Sequence, residues 1–269
     1  MKIISNKKKL IKIIQSEKNL GFVPTMGAIH KAHTTMIKRC NSVCNKSLVT
    51  IFINKPQFNR KSDFRKYPRV LKKDISVLGD HGVDYLYLPT VKQIYPTGPN
   101  KKIKISAFSK KLCGKSRPGH FEAVVDVIDR FIKIIKPRKI FLGEKDMQQL
   151  KIVEEFININ KIKTKVIACK IIREKNGLAY SSRNFLLSPE EKKIASNIYN
   201  LLNEKKKNLI KKKIFLKEIK NKILKFGINK IDYIEILDIN KLIRPYKKIK
   251  KYKIFIAYYI GSTRLIDNI

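Results

Sequence analysis

The stretch GFVPTMGAIHKAH, residues 21–33, decides the fold because it joins a short apolar run to a helix-like segment through a tight turn. Gly27 lets the backbone turn sharply at the end of the run. His30 and His33, two of the four histidines in the chain, follow at a spacing that places both on one side of a starting helix. Because amides at a helix start attract phosphate, the stretch predicts a phosphate-binding turn after a strand. A purely structural role for the two histidines is the alternative that the stretch alone leaves open.

Apolar runs and helix-period segments alternate along the first two thirds of the chain. The predicted strands are residues 20–24, 48–54, 83–89, 139–143 and 163–169, and the predicted helices are 31–44, 67–80, 120–136 and 146–158. Such alternation predicts an α/β fold, a Rossmann-like parallel sheet with helices on both faces. Functional residues are then expected at the carboxyl ends of the strands.

The sequence changes in character near residues 171–174, where a turn and a polar segment precede two lysine-rich helical patterns. These patterns predict helices over 189–212 and 214–226, and two later apolar runs, 231–238 and 252–261, predict strands. We therefore divide the chain into a larger domain, residues 1–172, and a smaller C-terminal α+β domain, residues 173–269.

The chain is strongly basic, with 61 lysines and arginines against 21 acidic residues and a formal net charge of +40. A basic balance suggests nucleic acid or an anionic membrane surface as a partner. Here the excess is almost wholly lysine and is dispersed along the chain, while tryptophan is absent, which favours a compositional background. We expect no specific nucleic-acid partner.

The four cysteines, at positions 40, 44, 113 and 169, are too few and too scattered for a disulfide framework, which favours a reducing compartment. Cys40 and Cys44 lie one helical turn apart, but no second pair at ligand spacing completes a metal site. The amino-terminal segment has no cleavage site, and no later run approaches the length of a membrane span. We expect a soluble, unprocessed cytoplasmic protein with no membrane partner.

Basic, amide and hydroxyl side chains follow the ends of several predicted strands. Gln57 lies after the second strand, and GEKD at 143–146 supplies a lysine for phosphate and an acid for a ribose hydroxyl or a metal. SSRN at 181–184 offers two hydroxyls and an arginine, while Arg117 and His120 lie at a predicted helix start. Taken alone, GEKD is a weak signal and SSRN is better explained as a polar interdomain turn, but the common placement of these segments at strand ends favours a binding site.

An ordered set of motifs resembles the pantoate–beta-alanine ligase family over essentially the whole chain. The motifs are VPTMGAIHKAH, IFINKPQFN, YPRVLKKD, KSRPGHFEAVVDVIDRF, FLGEKDMQQL, GLAYSSRNFLLSPEE and TRLIDN. The resemblance implies a ligase that joins pantoate to AMP from ATP with release of pyrophosphate. The amine of beta-alanine then displaces AMP to give pantothenate. The resemblance also implies Mg²⁺ with the nucleotide and a homodimer formed through the larger domain.

Catalytic roles follow from the same resemblance. It assigns the part of proton donor to His33, and places His30, Lys145 and Arg183 against the ATP phosphates. The segment 180–183 is expected to close over the triphosphate from the smaller domain, which would exclude water from the reactive adenylate.

Substrate-binding roles also follow from the resemblance. It assigns pantoate to Gln57 and Gln149, with Gln57 also near beta-alanine. The expected ATP-binding residues are Pro24, Thr25, Met26, Gly27, Ala28, Ile29, His30, Lys31, Ala32, His33, Gly143, Glu144, Lys145, Asp146, Ile172, Tyr180, Ser181, Ser182 and Arg183.

Three positions depart from the family pattern. Ala32 replaces the glycine of the H-x-G-H signature, and Tyr180 replaces a usual Met or Leu. The proline of NKPQF is shifted by one place, although Asn54 and Gln57 keep their register. No expected phosphate or pantoate ligand is lost, so we predict an active enzyme.

Three other functions are compatible with parts of the sequence. A different adenylating or nucleotidyl-transferring enzyme would need another acceptor site, against which Gln57 and Gln149 argue. A nucleic-acid-binding protein would cluster its lysines with arginine and aromatic residues, whereas here they are dispersed. An inactive relative would not be expected to keep His30, His33, Lys145 and the serines and arginine of 181–183 intact.

Overall fold

The structure is a computed structural model that describes residues 1–211, 214–242 and 248–269. The larger of its two sheets is parallel. Its strands are β1 (Lys2–Ile4), β2 (Leu20–Thr25), β3 (Lys46–Ile51), β4 (Tyr85–Tyr87), β5 (Lys139–Gly143) and β6 (Lys165–Cys169). They lie side by side in the order β1-β4-β3-β2-β5-β6, and every neighbouring pair is parallel.

Helices cover both faces of this sheet because successive strand residues point to opposite sides. The helices are α1 (Lys7–Ile14), α2 (Lys31–Val43), α3 (Lys61–Lys66), α4 (Leu71–Asp80), α5 (Val91–Ile94), α6 (Cys113–Ser116), α7 (His120–Ile135) and α8 (Met147–Ile159). Phe22 and Leu48 lie in one buried cluster with side chains of α1, α7 and α8. Val23 and Val49, one residue further on, lie in a second cluster with α2 and α4.

The sheet opens between β2 and β5, which are neighbours near its middle. The register of β2 and β5 joins Gly21 to Lys139 and Phe22 to Ile140, yet both strands continue beyond these residues. Pro24 lies in the part of β2 beyond this pairing and has no N–H with which to extend a ladder. Chain order also reverses here, since β3 and β4 lie on one side of β2, and β5 and β6 on the other. The opening is therefore the place where such sheets bind ligands.

The C-terminal part has its own sheet and its own buried cluster. It comprises α9 (Pro189–Ile210), α10 (Leu216–Leu224), β7 (Lys230–Asp238), β8 (Tyr252–Ile260) and β9 (Thr263–Asn268). The three strands form an antiparallel sheet against which the two helices pack. The predicted α/β fold class with a smaller α+β part is confirmed. The division between residues 172 and 173 stays a prediction, and Phe255 and Ile239 pack into the core of the larger sheet.

Several predicted elements differ from the structure in extent. The helix predicted over 67–80 begins later, at Leu71 of α4, because Pro68 disfavours helical backbone at Tyr67. The short helix α3, which ends at Lys66, was not predicted. The predicted strand 48–54 begins and ends earlier, and 83–89 is shorter. The sequence prediction missed β1 and β9. Residue 212, predicted in a helix, lies outside the described residues.

Two further facts bear on the predictions from composition. The four cysteines are all buried free thiols. Within the ranges that the structure describes, no helix combines the length and apolar character needed to cross a membrane.

The last strand fastens the two parts of the chain together. Within the C-terminal part, Arg173 holds this strand by a two-pronged ion pair with Asp267, at 2.7 and 2.9 Å. The next residue, Asn268, is 1% exposed, and its Nδ2 donates to the backbone carbonyls of Glu144 (2.8 Å) and Lys145 (2.9 Å). The closing TRLIDN motif thus holds the backbone of the GEKD segment in place.

Removal of the Asn268 amide should destabilise the fold. In Asn268→Ala, two buried carbonyls lose their donor, so we expect the free energy of unfolding to fall by about 2 kcal/mol. Urea denaturation measures this, with the exposed Asn203→Ala as the control that stays within about 0.5 kcal/mol of the wild type. Equal stability of the two variants would contradict the fastening role.

Candidate active site

A cavity of about 230 Å³ lies at the opening between β2 and β5. Most of the predicted site residues line it, namely Pro24, Thr25, Met26, His30, Ala32, His33, Gln57, Gly143, Lys145, Asp146, Gln149, Tyr180, Ser181, Ser182 and Arg183. The structure therefore brings together segments from four separate parts of the sequence. The remaining predicted residues, Gly27, Ala28, Ile29, Lys31, Glu144 and Ile172, are not part of its wall.

The turn that precedes the histidines is held by a buried carboxylate. Gly27 and Ala28 both have positive φ, at 79° and 51°. Asp74, 2% exposed on α4, accepts hydrogen bonds from the backbone N–H of Ala28 (2.9 Å) and of Ile29 (2.7 Å). A Cβ at position 27 would lie 2.9 Å from Asp74 Oδ2, which explains the need for glycine. Residues 27–29 thus fix the position of the cavity wall without being part of it.

Asp74 had no predicted role in the site, although it closes the YPRVLKKD motif. An acid in the first turn of a helix ordinarily suits the helix dipole. Only the three-dimensional structure shows that its side chain reaches another loop.

The two histidines stack against each other at the start of α2. Their ring centroids are 4.0 Å apart with planes inclined by 25°, and His33 Nδ1 accepts the backbone N–H of His30 at 3.3 Å. The ring of Tyr180 lies nearly parallel to that of His30, with centroids 6.1 Å apart and planes inclined by 26°. Tyr180, which departs from the family pattern, therefore packs against the histidine pair rather than displacing it. In the described part of the chain, His30 Nδ1 is buried without a hydrogen-bond partner.

Both histidines are neutral at pH 7. Burial, followed by the charge of Lys145, lowers the pKa of His30 to about 4. Burial and then the neighbouring His30 and Lys145 hold the pKa of His33 well below its usual range. Because Nδ1 of neutral His33 accepts a hydrogen bond, its proton lies on Nε2. The site therefore contains an uncharged imidazole donor next to a lysine.

The two predicted pantoate residues lie at the other end of the cavity. Gln57 is oriented by Asn54, whose Nδ2 donates to Gln57 Oε1 at 3.0 Å, and Gln57 Nε2 contacts Met26 Sδ at 3.1 Å. Gln149 lines the cavity, whereas its neighbour Gln148 turns away to bond the backbone around Cys113. The shifted proline of NKPQF thus leaves the turn at Gln57 intact.

Arg117 and His120, two basic residues that the resemblance did not assign to the site, also line the cavity. Arg117 Nη2 and His120 Nδ1 both bond the backbone carbonyl of Gln57, at 3.0 and 2.8 Å. Burial and then the charge of Arg117 hold the pKa of His120 well below its usual range. Since Nδ1 of neutral His120 donates to a carbonyl, its Nε2 is an acceptor. It can accept a hydrogen bond from a substrate hydroxyl or amine.

Residues 180–183, which we call the closing segment, line the cavity from the C-terminal part. Ser182 Oγ donates to the carbonyl of Ala28 at 3.2 Å, which ties this segment to the histidine turn. Arg183 Nη2 pairs with Asp63 Oδ2 of α3 at 2.9 Å. Ile172 lies outside the wall and its carbonyl accepts the N–H of Tyr180 at 3.0 Å. Asp63 is a site residue that the sequence patterns did not identify.

The cavity is poor in acidic groups. Asp146 is the only carboxylate among the described residues that line it. The described part of the chain also contains no group of three or more His, Cys, Asp and Glu side chains arranged to hold a metal ion. The walls instead offer cationic groups and neutral donors, which suit an anionic substrate.

A parallel sheet with a cavity at its reversal point, lined by histidine, lysine and arginine, is typical of enzymes that act on nucleotide phosphates. Residues 2–269 match the family described as Pantoate-beta-alanine ligase. The chain belongs to this family. The predicted family and the predicted ligase activity, the joining of pantoate to beta-alanine, are confirmed.

Similar proteins span the whole chain. It is 37% identical over 279 residues to the pantothenate synthetase of Pseudothermotoga lettingae, covering 100% of this chain and 97% of the relative. It is 39% identical over 276 residues to that of Clostridium botulinum, covering 100% and 98%.

Solved structures agree in fold. Pantothenate synthetase from Thermus thermophilus superposes with a TM-score of 0.89 at 29% identity, covering 100% of this chain and 99% of that one. Pantoate-beta-alanine ligase from Francisella tularensis, complexed with beta-gamma ATP and beta-alanine, gives 0.88 at 37% identity, with coverage of 100% and 97%.

Neutralising the Asp74 carboxylate should disturb the histidine turn. In Asp74→Asn one amide N–H would face the N–H of Ala28 or Ile29, so we expect a loss of about 2 kcal/mol in the free energy of unfolding. Catalytic efficiency with ATP should fall as well. The exposed Asp80→Asn on the same helix is the control. Wild-type stability and activity in Asp74→Asn would disprove that the Asp74 carboxylate holds the turn.

The neutral histidines should make the protein less stable in acid. Their folded pKa values lie below the usual 6.5, so the unfolded chain binds more protons as the pH falls from 7 towards 4. For His30 alone the free energy of unfolding should fall by about 2 kcal/mol between pH 7 and pH 5. Urea denaturation of His30→Gln/His33→Gln should show a smaller loss over this range than the wild type; an equal loss would contradict the assignment.

Proposed function

We propose that this cavity forms pantoyl adenylate from pantoate and ATP and then passes the pantoyl group to beta-alanine. The observation that carries the proposal is the stacked, neutral histidine pair beside Lys145 at the opening of the sheet. Beta-gamma ATP and beta-alanine bound to the Francisella tularensis relative support the substrate assignment.

The triphosphate of ATP would lie between the histidine turn and the segment that closes the cavity. Lys145, 18% exposed, is the cation of the cavity floor, and Arg183 faces it from the C-terminal part. The unpartnered Nδ1 of His30 supports a ligand at this position, because a buried polar atom without a partner is costly. Ser181 and Ser182 supply further donors from the closing segment.

His33 would act in the first chemical step. The pantoate carboxylate attacks the α-phosphorus, the bond to the pyrophosphate oxygen breaks, and negative charge accumulates on the phosphoryl oxygens. The Nε2–H of His33 donates a hydrogen bond to that charge, an interaction that strengthens as the transition state forms. Because the imidazole starts neutral, it does not hold the triphosphate tightly in the ground state.

Pantoate would be oriented by the two glutamines. Gln57 is restrained by Asn54, and Gln149 lines the same cavity next to the GEKD segment. An amide offers both a donor and an acceptor, which suits a substrate with hydroxyl groups and a carboxylate. His120 would accept a hydrogen bond from the same substrates through Nε2.

The donor set fits Mg²⁺ that is held chiefly by the nucleotide. Mg²⁺ is usually bound through one or two carboxylates together with substrate phosphates and waters, and Asp146 is the carboxylate available among the described wall residues. When bound, the ion neutralises phosphate charge. A homodimer through the larger domain, a cytoplasmic location and the lack of a nucleic-acid partner stay predictions from the sequence.

Replacement of His33 tests the proposed mechanism. In His33→Ala the rate of pantoyl adenylate formation in a single turnover should fall by about 10²- to 10³-fold, the usual effect of losing one transition-state donor. The affinity for ATP should change far less, because other groups hold the nucleotide. His81→Ala, outside the cavity, is the control. An unchanged first-step rate in His33→Ala would rule out the role.

A further inference from the structure

A second pocket of about 150 Å³ lies on the outer side of the closing segment. We call it the outer basic pocket and define it by five cationic residues in its wall, Arg60, Lys66, Arg117, Arg183 and Arg264. Asp63 is the one acidic residue among the described residues that line it. Its volume corresponds to about five waters at ~30 Å³ each, which suits a small anion and not a polymer.

The charge of this pocket is only partly neutralised. Arg183 pairs with Asp63, and Arg264 pairs with Asp232 at 2.7 Å. Among the residues described by the structure, no carboxylate forms an ion pair with the other three cations of the pocket, Arg60, Lys66 and Arg117. Three uncompensated cations around one cavity favour an anion within it.

Arg117 shows the electrostatic cost of this arrangement most clearly. Burial, followed by the charges of Arg183 and Arg264, lowers its pKa to about 10. Within the described chain, the only hydrogen bond that its side chain makes to the protein runs from Nη2 to the carbonyl of Gln57. An anion between the guanidinium groups would relieve the repulsion and use the remaining donors.

The pocket is formed jointly by the two parts of the chain. Arg60 lies over the ring of Tyr259 at 5.2 Å, and Lys66 Nζ donates to Ser262 Oγ at 3.4 Å. Arg60 directly precedes α3 and Lys66 ends it, whereas Tyr259 and Ser262 belong to β8 and the turn after it. The two cations are thus held by neutral partners that leave their charge available.

The outer basic pocket adjoins the active cavity. Arg117 and Arg183 line both. An anion that leaves the active cavity at these two arginines would reach Arg60 and Lys66, which line the outer basic pocket alone.

We propose that the outer basic pocket binds the pyrophosphate released by adenylate formation, as a transient binding site after it leaves the active cavity. The inference rests on the proposed function, because the adenylating step is the source of pyrophosphate. Pyrophosphate suits the site better than a carboxylate, since it carries several charges for the three unpaired cations. Its withdrawal from the cavity would also oppose re-formation of ATP from the adenylate.

The test is calorimetric titration of the whole protein with inorganic pyrophosphate at fixed ionic strength. The double variant Arg60→Gln/Lys66→Gln removes two rim cations. Lys61→Gln/Arg65→Gln removes the same charge from the same helix at positions outside the pocket. We expect the first variant to bind pyrophosphate about tenfold or more weakly, because it loses two charged hydrogen-bond donors to the anion. The second should bind like the wild type.

Equal affinity of both variants and the wild type would overturn the inference, since binding would then be confined to the inner cavity. Equal weakening in both variants would also overturn it, because that would reflect the diffuse charge of the chain. Pantoate-dependent release of pyrophosphate from ATP, measured on the same wild-type preparation, reports the proposed function separately. Failure of the ligase chemistry and failure of the outer basic pocket are thus distinguishable.

Discussion

The site depends on the hydrogen bonds from the backbone of Ala28 and Ile29 to the buried carboxylate of Asp74. They hold a turn in which Gly27 and Ala28 both have positive φ, a conformation that is costly for alanine. The turn sets where α2 begins and so where the two imidazoles lie. It also presents the Ala28 carbonyl to Ser182, which makes the closing segment depend on the same carboxylate.

The active cavity differs from the rest of this basic chain in the charge of its side chains. Burial keeps the stacked histidines neutral, although the chain carries a net charge of +40. Among the described residues, three cations line the active cavity, namely Lys145, Arg117 and Arg183. Arg60 and Lys66, which have no carboxylate partner in the described chain, line only the outer basic pocket. In the proposed reaction, a phosphate-bearing substrate would meet neutral donors where bonds change and positive charge where the leaving group departs.

The sequence predicted much of the fold and most of the cavity wall, and its errors have physical causes. Alternating apolar and helical patterns are local, so they indicated the parallel sheet and the segments at its strand ends. The three-residue β1 is too short to show a pattern. The roles of Asp63 and Asp74 were not predicted, because their partners, Arg183 and the histidine turn, are distant in the sequence. Arg117 was noticed but not placed, since only tertiary structure shows it between two cavities.

The most direct test of the account is the order in which ATP is broken down. We expect a folded preparation with ATP and pantoate, but without beta-alanine, to release pyrophosphate in about one equivalent while AMP stays bound as the adenylate. AMP and pantothenate should appear only when beta-alanine is added. Pyrophosphate release that does not depend on pantoate, or no turnover with all three substrates, would contradict the assignment of this cavity as the site of both steps.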